Sequence, residues 1–430
     1  MQGIRSRICL YAAVCTLLIA CGTSRKKQVK GNNPVLYNPA SSSLHPQMGV
    51  FHISDEESQL YIMLNTNELI VNEANADHLP KADIRIHYRL FDCTEIDNNK
   101  AVSDSATFIN SIQVYSQQKT VVFPIPIPAL QGRRYILLAQ ITDLLRRNTV
   151  RQFVTIDKTN TFSEQNFRIT AMNGTPKLGK TVSESDIFRI ICRQQSISHI
   201  FIKYMSAPQE VSTSPLSPYP APALHFTPDT VWEQPYSPTT NFLFTREGLY
   251  LIQIDTLQQE GMLLMNFGNA YPKENQTAQL VTPIRYLMSA TEYQKLQAAG
   301  HPKKMMDDFW LAVTGSTDKA RMLIRVFYTR MSYANQYFTD VKEGWKTDRG
   351  MVYMVYGLPD NVLKSFDSET WEYNRSSRQA GTVTFIFDRK PTNYGGDYYV
   401  LRRNSPQSTY WSQAVDSWRN GRVFSLSEIE

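Results

Sequence analysis

Residues 82 to 90 alternate between two characters: Ile84, Ile86, Tyr88 and Leu90 fall on one side, and Asp83, Arg85, His87 and Arg89 on the other. Successive side chains of a strand point to opposite faces, so this segment is a half-buried antiparallel strand. Comparable runs lie at Leu60 to Leu64, Thr107 to Val114, Val121 to Ile127, Tyr135 to Thr142 and Gln152 to Ile156, divided by polar or turn-like segments. Many strands with few helical signals predict a β-sandwich over residues 49–159. Pro124, Pro126 and Pro128 remove every second donor from one strand, which places it at a sheet edge.

A second β-rich region is expected over 160–282, with strands at Phe167 to Ala171, Asp186 to Cys192, His199 to Tyr204, Asn241 to Thr245 and Tyr250 to Asp255. Its middle, from Ser212 to Pro228, carries Pro215, Pro218, Pro220 and Pro222. This reads as a polyproline-like excursion, either a long surface loop or a strip for an aromatic groove. Helical signals begin after Pro283. Ser289 and Glu292 have capping-box spacing, Pro302 opens a helix that Gly315 closes, and Thr317 or Asp318 caps the longest one. Strands are expected at Val352 to Tyr356, Thr370 to Tyr373, Val383 to Phe387 and Tyr398 to Arg402, then a helix from Thr409 to Arg419. The predicted fold class is multidomain and mainly β. Two β-sandwich-like (Ig-like) modules precede a helix-plus-antiparallel-sheet α+β domain at 283–430.

At the start of the chain, Arg5 and Arg7 precede an apolar run from Ile8 to Ile19, too short for a comfortable bilayer span. The ending Leu18-Ile19-Ala20-Cys21 resembles the lipobox of bacterial lipoproteins. That resemblance implies a signal peptide at 1–20 and a first mature residue, Cys21, whose thiol carries a diacylglycerol and whose amine carries an acyl chain such as palmitate. Several acyl chains make such an anchor nearly permanent. The alternative is an ordinary secretory signal with a chance cysteine. Gly22 in place of an aspartate favours the outer membrane, and the basic residues Arg25, Lys26, Lys27 and Lys30 favour a periplasm-facing body. Residues 21–48, rich in Asn, Ser, Pro and Lys, are expected to be a flexible tether.

The formal charge of +6 is diffuse and argues against nucleic acid as a partner. Of five cysteines, only Cys93 and Cys192 remain after the signal and the lipid take theirs, and two buried free thiols are expected rather than a bridge. The seven histidines, His45, His52, His78, His87, His199, His225 and His301, are scattered. No metal, nucleotide or nucleophile motif is present, so no cofactor is expected beyond the lipid on Cys21. Carboxylate pairs such as Glu369 with Glu372, or Asp307 with Asp308, suit glycosidase chemistry only at a separation that spacing cannot show.

Between the longest helix and the strand expected next stands Gly344-Trp345-Lys346-Thr347-Asp348-Arg349-Gly350, followed by Met351 to Asp360. This resembles the GWxTD domain, a family known from predicted lipoproteins of the Bacteroidota, over roughly residues 283–430. Gly344, Trp345, Thr347 and Asp348 match the name, while Arg349, Gly350, Tyr356, Gly357, Pro359 and Asp360 fit the segment that usually follows. The resemblance brings no established activity. Every one of these residues can serve the architecture. Gly344 would leave the helix with positive φ, Trp345 would cover the core, Thr347 and Asp348 would close an Asx-type turn, and Arg349 would sit beside Asp348 or Asp360. The same Trp345, Thr347, Asp348 and Arg349 form a candidate pocket for a ligand or a partner's chain. The expected work is non-catalytic binding or scaffolding of envelope proteins, as an accessory of their export or assembly such as type IX secretion. The alternatives are a peptidoglycan or glycan binder using the aromatic C-terminal segment (Trp371, Tyr373, Tyr398, Tyr399, Tyr410, Trp411 and Trp418), and a hydrolase centred on Asp348.

Overall fold

The computed structural model describes Tyr37 and residues 43–72, 80–94, 104–114, 119–217, 223–273, 277–298, 300–374, 382–394, 396–403 and 405–424. The expectations for Cys21, the signal peptide and residues 22–36 lie outside the described residues. No helix among the described residues is long and apolar enough to cross a membrane.

The first module is two facing antiparallel sheets. Strands β1 (Gln47–His52), β2 (Glu57–Asn65), β3 (Lys81–Asp92), β4 (Asp104–Gln113), β5 (Thr120–Pro128), β6 (Arg134–Asp143) and β7 (Asn148–Asp157) order as β1-β2-β5 and β4-β3-β6-β7. The alternation in β3 works as expected: Ile84, Ile86, Tyr88 and Leu90 enter the core, where they meet Leu60, Ile62, Ile125 and Ile127 from the opposite sheet. Pro124, Pro126 and Pro128 lie on β5, which ends its sheet, and Ile125 and Ile127 between them point inward. Edge position spares the prolines the donors they lack.

One buried histidine gives this module an acid-sensitive point. His52 is 1% exposed, its Nε2 donating to Asp157 O at 3.1 Å and its Nδ1 accepting from Ser58 Oγ at 2.9 Å. Burial lowers its pKa from 6.5 to about 4. Folding therefore favours the neutral ring, and this contribution is complete above pH 6.5 and is lost as pH falls toward 4. At about 1.4 kcal/mol per unit, the loss is about 3 kcal/mol. Urea midpoints at pH 7 and pH 4 should show it, and His52→Gln should remove most of the difference.

The second module repeats the sandwich. Strands β8 (Phe167–Ala171), β9 (Pro176–Lys177), β10 (Phe188–Cys192), β11 (His199–Met205), β12 (Thr230–Pro235), β13 (Asn241–Phe242), β14 (Gly248–Gln253) and β15 (Met262–Asn266) order as β13-β10-β8-β9 and β12-β11-β14-β15. Every residue of β14 and β15 is buried. Tyr250, Ile252, Met262 and Leu264 face the sandwich core, whereas Leu249, Leu251, Leu263 and Met265 face outward onto Val341 and Tyr398 of the C-terminal region. Strands covered on both faces read as continuous apolar runs rather than alternating ones. For that reason sequence reading misses β15. Cys93 and Cys192 are not bridged to each other, and both are only partly buried.

The C-terminal region is α+β. Helices α1 (Thr277–Val281), α2 (Ala290–Ala298), α3 (Pro302–Thr314), α4 (Thr317–Phe338) and α5 (Asp348–Tyr356) precede a sheet of β16 (Asn361–Lys364), β17 (Ser368–Asn374), β18 (Thr382–Pro391) and β19 (Asp397–Leu401), closed by α6 (Ser405–Arg419). The capping box forms: Ser289 N donates to Glu292 Oε2 at 2.8 Å, and Glu292 N to Ser289 Oγ at 3.2 Å. Helical structure starts at Thr277, ahead of Pro283. Gly315 ends α3 at φ 61°, so Ser316, not Thr317 or Asp318, becomes the N-cap of α4.

The segment Val352 to Tyr356, expected as a strand, is helical. Thr347 is its N-cap, with Oγ1 accepting from Gly350 N at 3.0 Å, and Asp348 occupies the first turn. All nine residues of α5 are buried, so its sequence carries no amphipathic period and its valines mimic a strand. The expected flexible tether also departs from the structure at its far end. Leu44 sits in the first sandwich core at 1% exposure, and Tyr37 in the C-terminal core at 6%.

Candidate functional site

The motif begins where α4 ends. Gly344 opens a 3₁₀ turn, Gly344–Lys346, that lies against the last turns of α4. A Cβ there would stand 1.9 Å from Ala334 O, and one on Gly350 would stand 1.8 Å from Gly344 O. Neither glycine has a positive φ, so close backbone approach, not conformation, requires them, contrary to the expectation for Gly344. Asn335 holds the turn from α4: Trp345 N donates to Asn335 Oδ1 at 3.0 Å, and Asn335 Nδ2 to Pro272 O at 3.0 Å.

Each motif side chain faces inward. Trp345, 4% exposed, packs edge-on to Tyr286, whose hydroxyl donates to Trp345 O at 2.9 Å. Thr347 Oγ1 donates to Gly344 O at 2.7 Å while capping α5. Asp348 does not close an Asx turn. Its Oδ2 accepts from Leu401 N at 2.6 Å and its Oδ1 from Arg403 at 3.2 Å, tying α5 to the end of β19. Arg349 does not face Asp348, because adjacent residues on a helix diverge by about 100°, and its carboxylate partner is Glu369 rather than Asp360. It reaches Glu369 Oε2 at 3.4 Å and lies 3.8 Å from the Tyr399 ring centre.

Glu369, considered from the sequence only as a carboxylate paired with Glu372, is instead the buried polar centre of the site. It is 1% exposed and takes Arg349, Lys364 at 3.3 Å, Trp371 Nε1 at 2.6 Å and the Tyr37 hydroxyl at 2.5 Å. Burial alone would raise its carboxyl pKa, but these two cations and two hydrogen bonds hold it below the ordinary value. The signal was available in β17. Glu369, Trp371 and Tyr373 recur every second residue, so a carboxylate shares the buried face with two large aromatics.

The proline-rich excursion docks on this same domain. Ser212 N and Oγ both donate to Lys346 O, at 3.0 and 2.9 Å, and Arg403 donates to Thr213 O at 2.9 Å. Farther along, Phe226 N donates to Asn393 Oδ1 at 2.9 Å, and Asn393 Nδ2 returns to Phe226 O at 2.8 Å. The described parts of the excursion are thus bound within the chain rather than looping free; Pro218, Pro220 and Pro222 lie outside the described residues. Arg403 bridges Asp348 to this segment, so the motif joins helix, sheet edge and the neighbouring sandwich.

Residues 248–420 match the family model of the GWxTD domain. The chain carries a GWxTD domain. Its match begins at 248, not 283, and so takes in β14 and β15, the two strands whose outer faces pack against it. No curated protein matches the chain.

Within the GWxTD domain five of the seven aromatics considered for sugar stacking are buried: Trp371, Trp411 and Trp418 are at most 1% exposed, Tyr373 shares their core, and Tyr398 lies under β14 and β15; Tyr399 and Tyr410 are partly buried against that core. Asp307 and Asp308 are exposed on α3, and Glu372 bonds Asn361, pointing away from Glu369. Among the described residues no three His, Cys, Asp or Glu side chains gather as metal ligands. Asp348 has its two oxygens occupied by Leu401 and Arg403, an arrangement suited to holding structure rather than to transferring protons.

Proposed function

We propose that this protein is an outer membrane lipoprotein facing the periplasm, anchored by acyl chains on Cys21. It works without catalysis as a binding or scaffold protein for envelope proteins, an accessory of their export or assembly such as type IX secretion. What supports a scaffold over an enzyme is the inward use of the motif: Trp345, Thr347, Asp348 and Arg349 all take partners within the chain. Residues that are polar, buried and paired fix one arrangement of neighbouring elements. Here those elements are a helix, a sheet edge and the second sandwich, so the GWxTD domain braces the β modules that would present binding surfaces.

The test is fractionation with crosslinking in the native envelope, wild type against Cys21→Ser. Wild type should sediment with outer membranes and crosslink to envelope proteins identified by mass spectrometry. Cys21→Ser should move to the periplasmic fraction and lose those crosslinks. A variant that still sediments and crosslinks like wild type would overturn the proposal.

A further inference from the structure

The socket that holds Tyr37 is built more fully than a chance contact requires. The Tyr37 ring lies edge-on to Phe338, at 4.8 Å between centres, and tilted against Trp371 at 5.6 Å. Its hydroxyl donates to Glu369 Oε1 at 2.5 Å. From the other side, the Tyr353 hydroxyl donates to the main-chain oxygen of Tyr37 at 2.9 Å. Ring, phenol and backbone are therefore each read by a separate group, and all of those groups belong to the GWxTD domain, more than 300 residues away in sequence (316 to Tyr353, 332 to Glu369).

We propose that Phe338, Tyr353, Glu369 and Trp371 form a peptide-binding site for a segment bearing an unmodified tyrosine, filled in cis by Tyr37. The chemistry selects tyrosine. Phenylalanine would fill the aromatic walls but leave Glu369 one donor short, and loss of a hydrogen bond to a charged group weakens binding by about tenfold or more. A phosphotyrosine would bring a dianion against the Glu369 carboxylate. Arg349, the residue after the motif, pairs with Glu369 and sets its charge, so the motif and the socket are one construction. Burial and the adjacent Glu369 push the Tyr37 phenol well above its ordinary pKa, which keeps it protonated as a donor.

The docking stands without any lipid. Its mechanical consequence rests on the lipoprotein reading: 15 residues lie between Cys21 and Tyr37, and the fully extended chain joining the two spans roughly 55 Å. An acylated Cys21 would thereby hold the GWxTD domain close to the membrane, and a competing tyrosine segment would release it to a longer leash.

The experiment uses the full chain with Cys21→Ser, so that lipidation plays no part, and a fluorescent synthetic peptide spanning residues 32–42. Added Tyr37→Ala should leave the socket vacant and bind this peptide saturably; a peptide with phenylalanine at the tyrosine should bind at least tenfold more weakly, and the chain retaining Tyr37, whose own segment competes, should bind the tyrosine peptide at least tenfold more weakly than Tyr37→Ala does. A folded Tyr37→Ala chain that binds no peptide, or binds both peptides alike, would overturn the proposal. If Tyr37→Ala does not fold, Tyr37→Phe serves: limited proteolysis near residue 37 should run at least tenfold faster than in the chain retaining Tyr37, and an unchanged rate would overturn it.

Discussion

Alanine at Gly344 is expected to unfold the C-terminal domain, and alanine at Gly350 to do the same. The Cβ of the first would stand 1.9 Å from Ala334 O and 2.6 Å from its carbonyl carbon; that of the second, 1.8 Å from Gly344 O and 2.7 Å from its carbon. These are backbone atoms of α4 and of the turn itself, which no rotamer change can move aside. Relief demands moving the Gly344–Lys346 turn off α4 in the first case and off α5 in the second, and that turn is seated in the main core by Trp345. A cost of about 4 kcal/mol or more follows, at the extreme of single substitutions. Thermal melts followed by tryptophan emission should show the domain's transition lost or moved far down. Gly179→Ala is the control, since a Cβ there meets nothing nearer than 3.9 Å, and its melt should match wild type.

The second large effect is at Asp348. Truncation to alanine leaves the buried Leu401 N without its acceptor and Arg403, whose side chain is 11% exposed, without its carboxylate. Breaking a buried ion pair from one side costs about 3–5 kcal/mol, because the remaining charge is left without its carboxylate in a poorly solvated place; the partial exposure of Arg403 and its contacts to Thr213 put this pair at the low end, about 3 kcal/mol. Asp348→Asn keeps an oxygen for Leu401 N and should lose roughly half as much. Urea unfolding of the purified chain measures both. Were Asp348 a catalytic acid or base in an open site, its removal would abolish a reaction and leave stability near wild type.

How much of this was legible in the sequence depended on how many sides of an element meet water. The strand β3 has one wet face, and its alternation gave the inward face directly. The prolines of β5 marked an edge for the same kind of reason, a missing donor. By contrast β14, buried on both faces, is legible only as the apolar run Tyr250 to Asp255, and β15 and α5, buried all round, carry no period to read. There Thr347 and Asp348, a threonine cap followed by an acidic first turn, were the better guide to a helix than the valines were to a strand. The motif was visible at once, but its partners were not. Leu401, Arg403, Glu369 and Ser212 lie far from it in sequence, and only the fold brings them to it. Tyr37 was hidden in a stretch whose composition reads as tether, since one buried side chain leaves no mark on an average.

The polar residues of the GWxTD motif hold this chain together, and a double-mutant cycle between Asp348→Ala and Arg403→Met in urea unfolding tests this most directly. A coupling of about 2 kcal/mol or more between the two positions is the predicted result. Additivity within about 0.5 kcal/mol, with each single variant near wild-type stability, would contradict it.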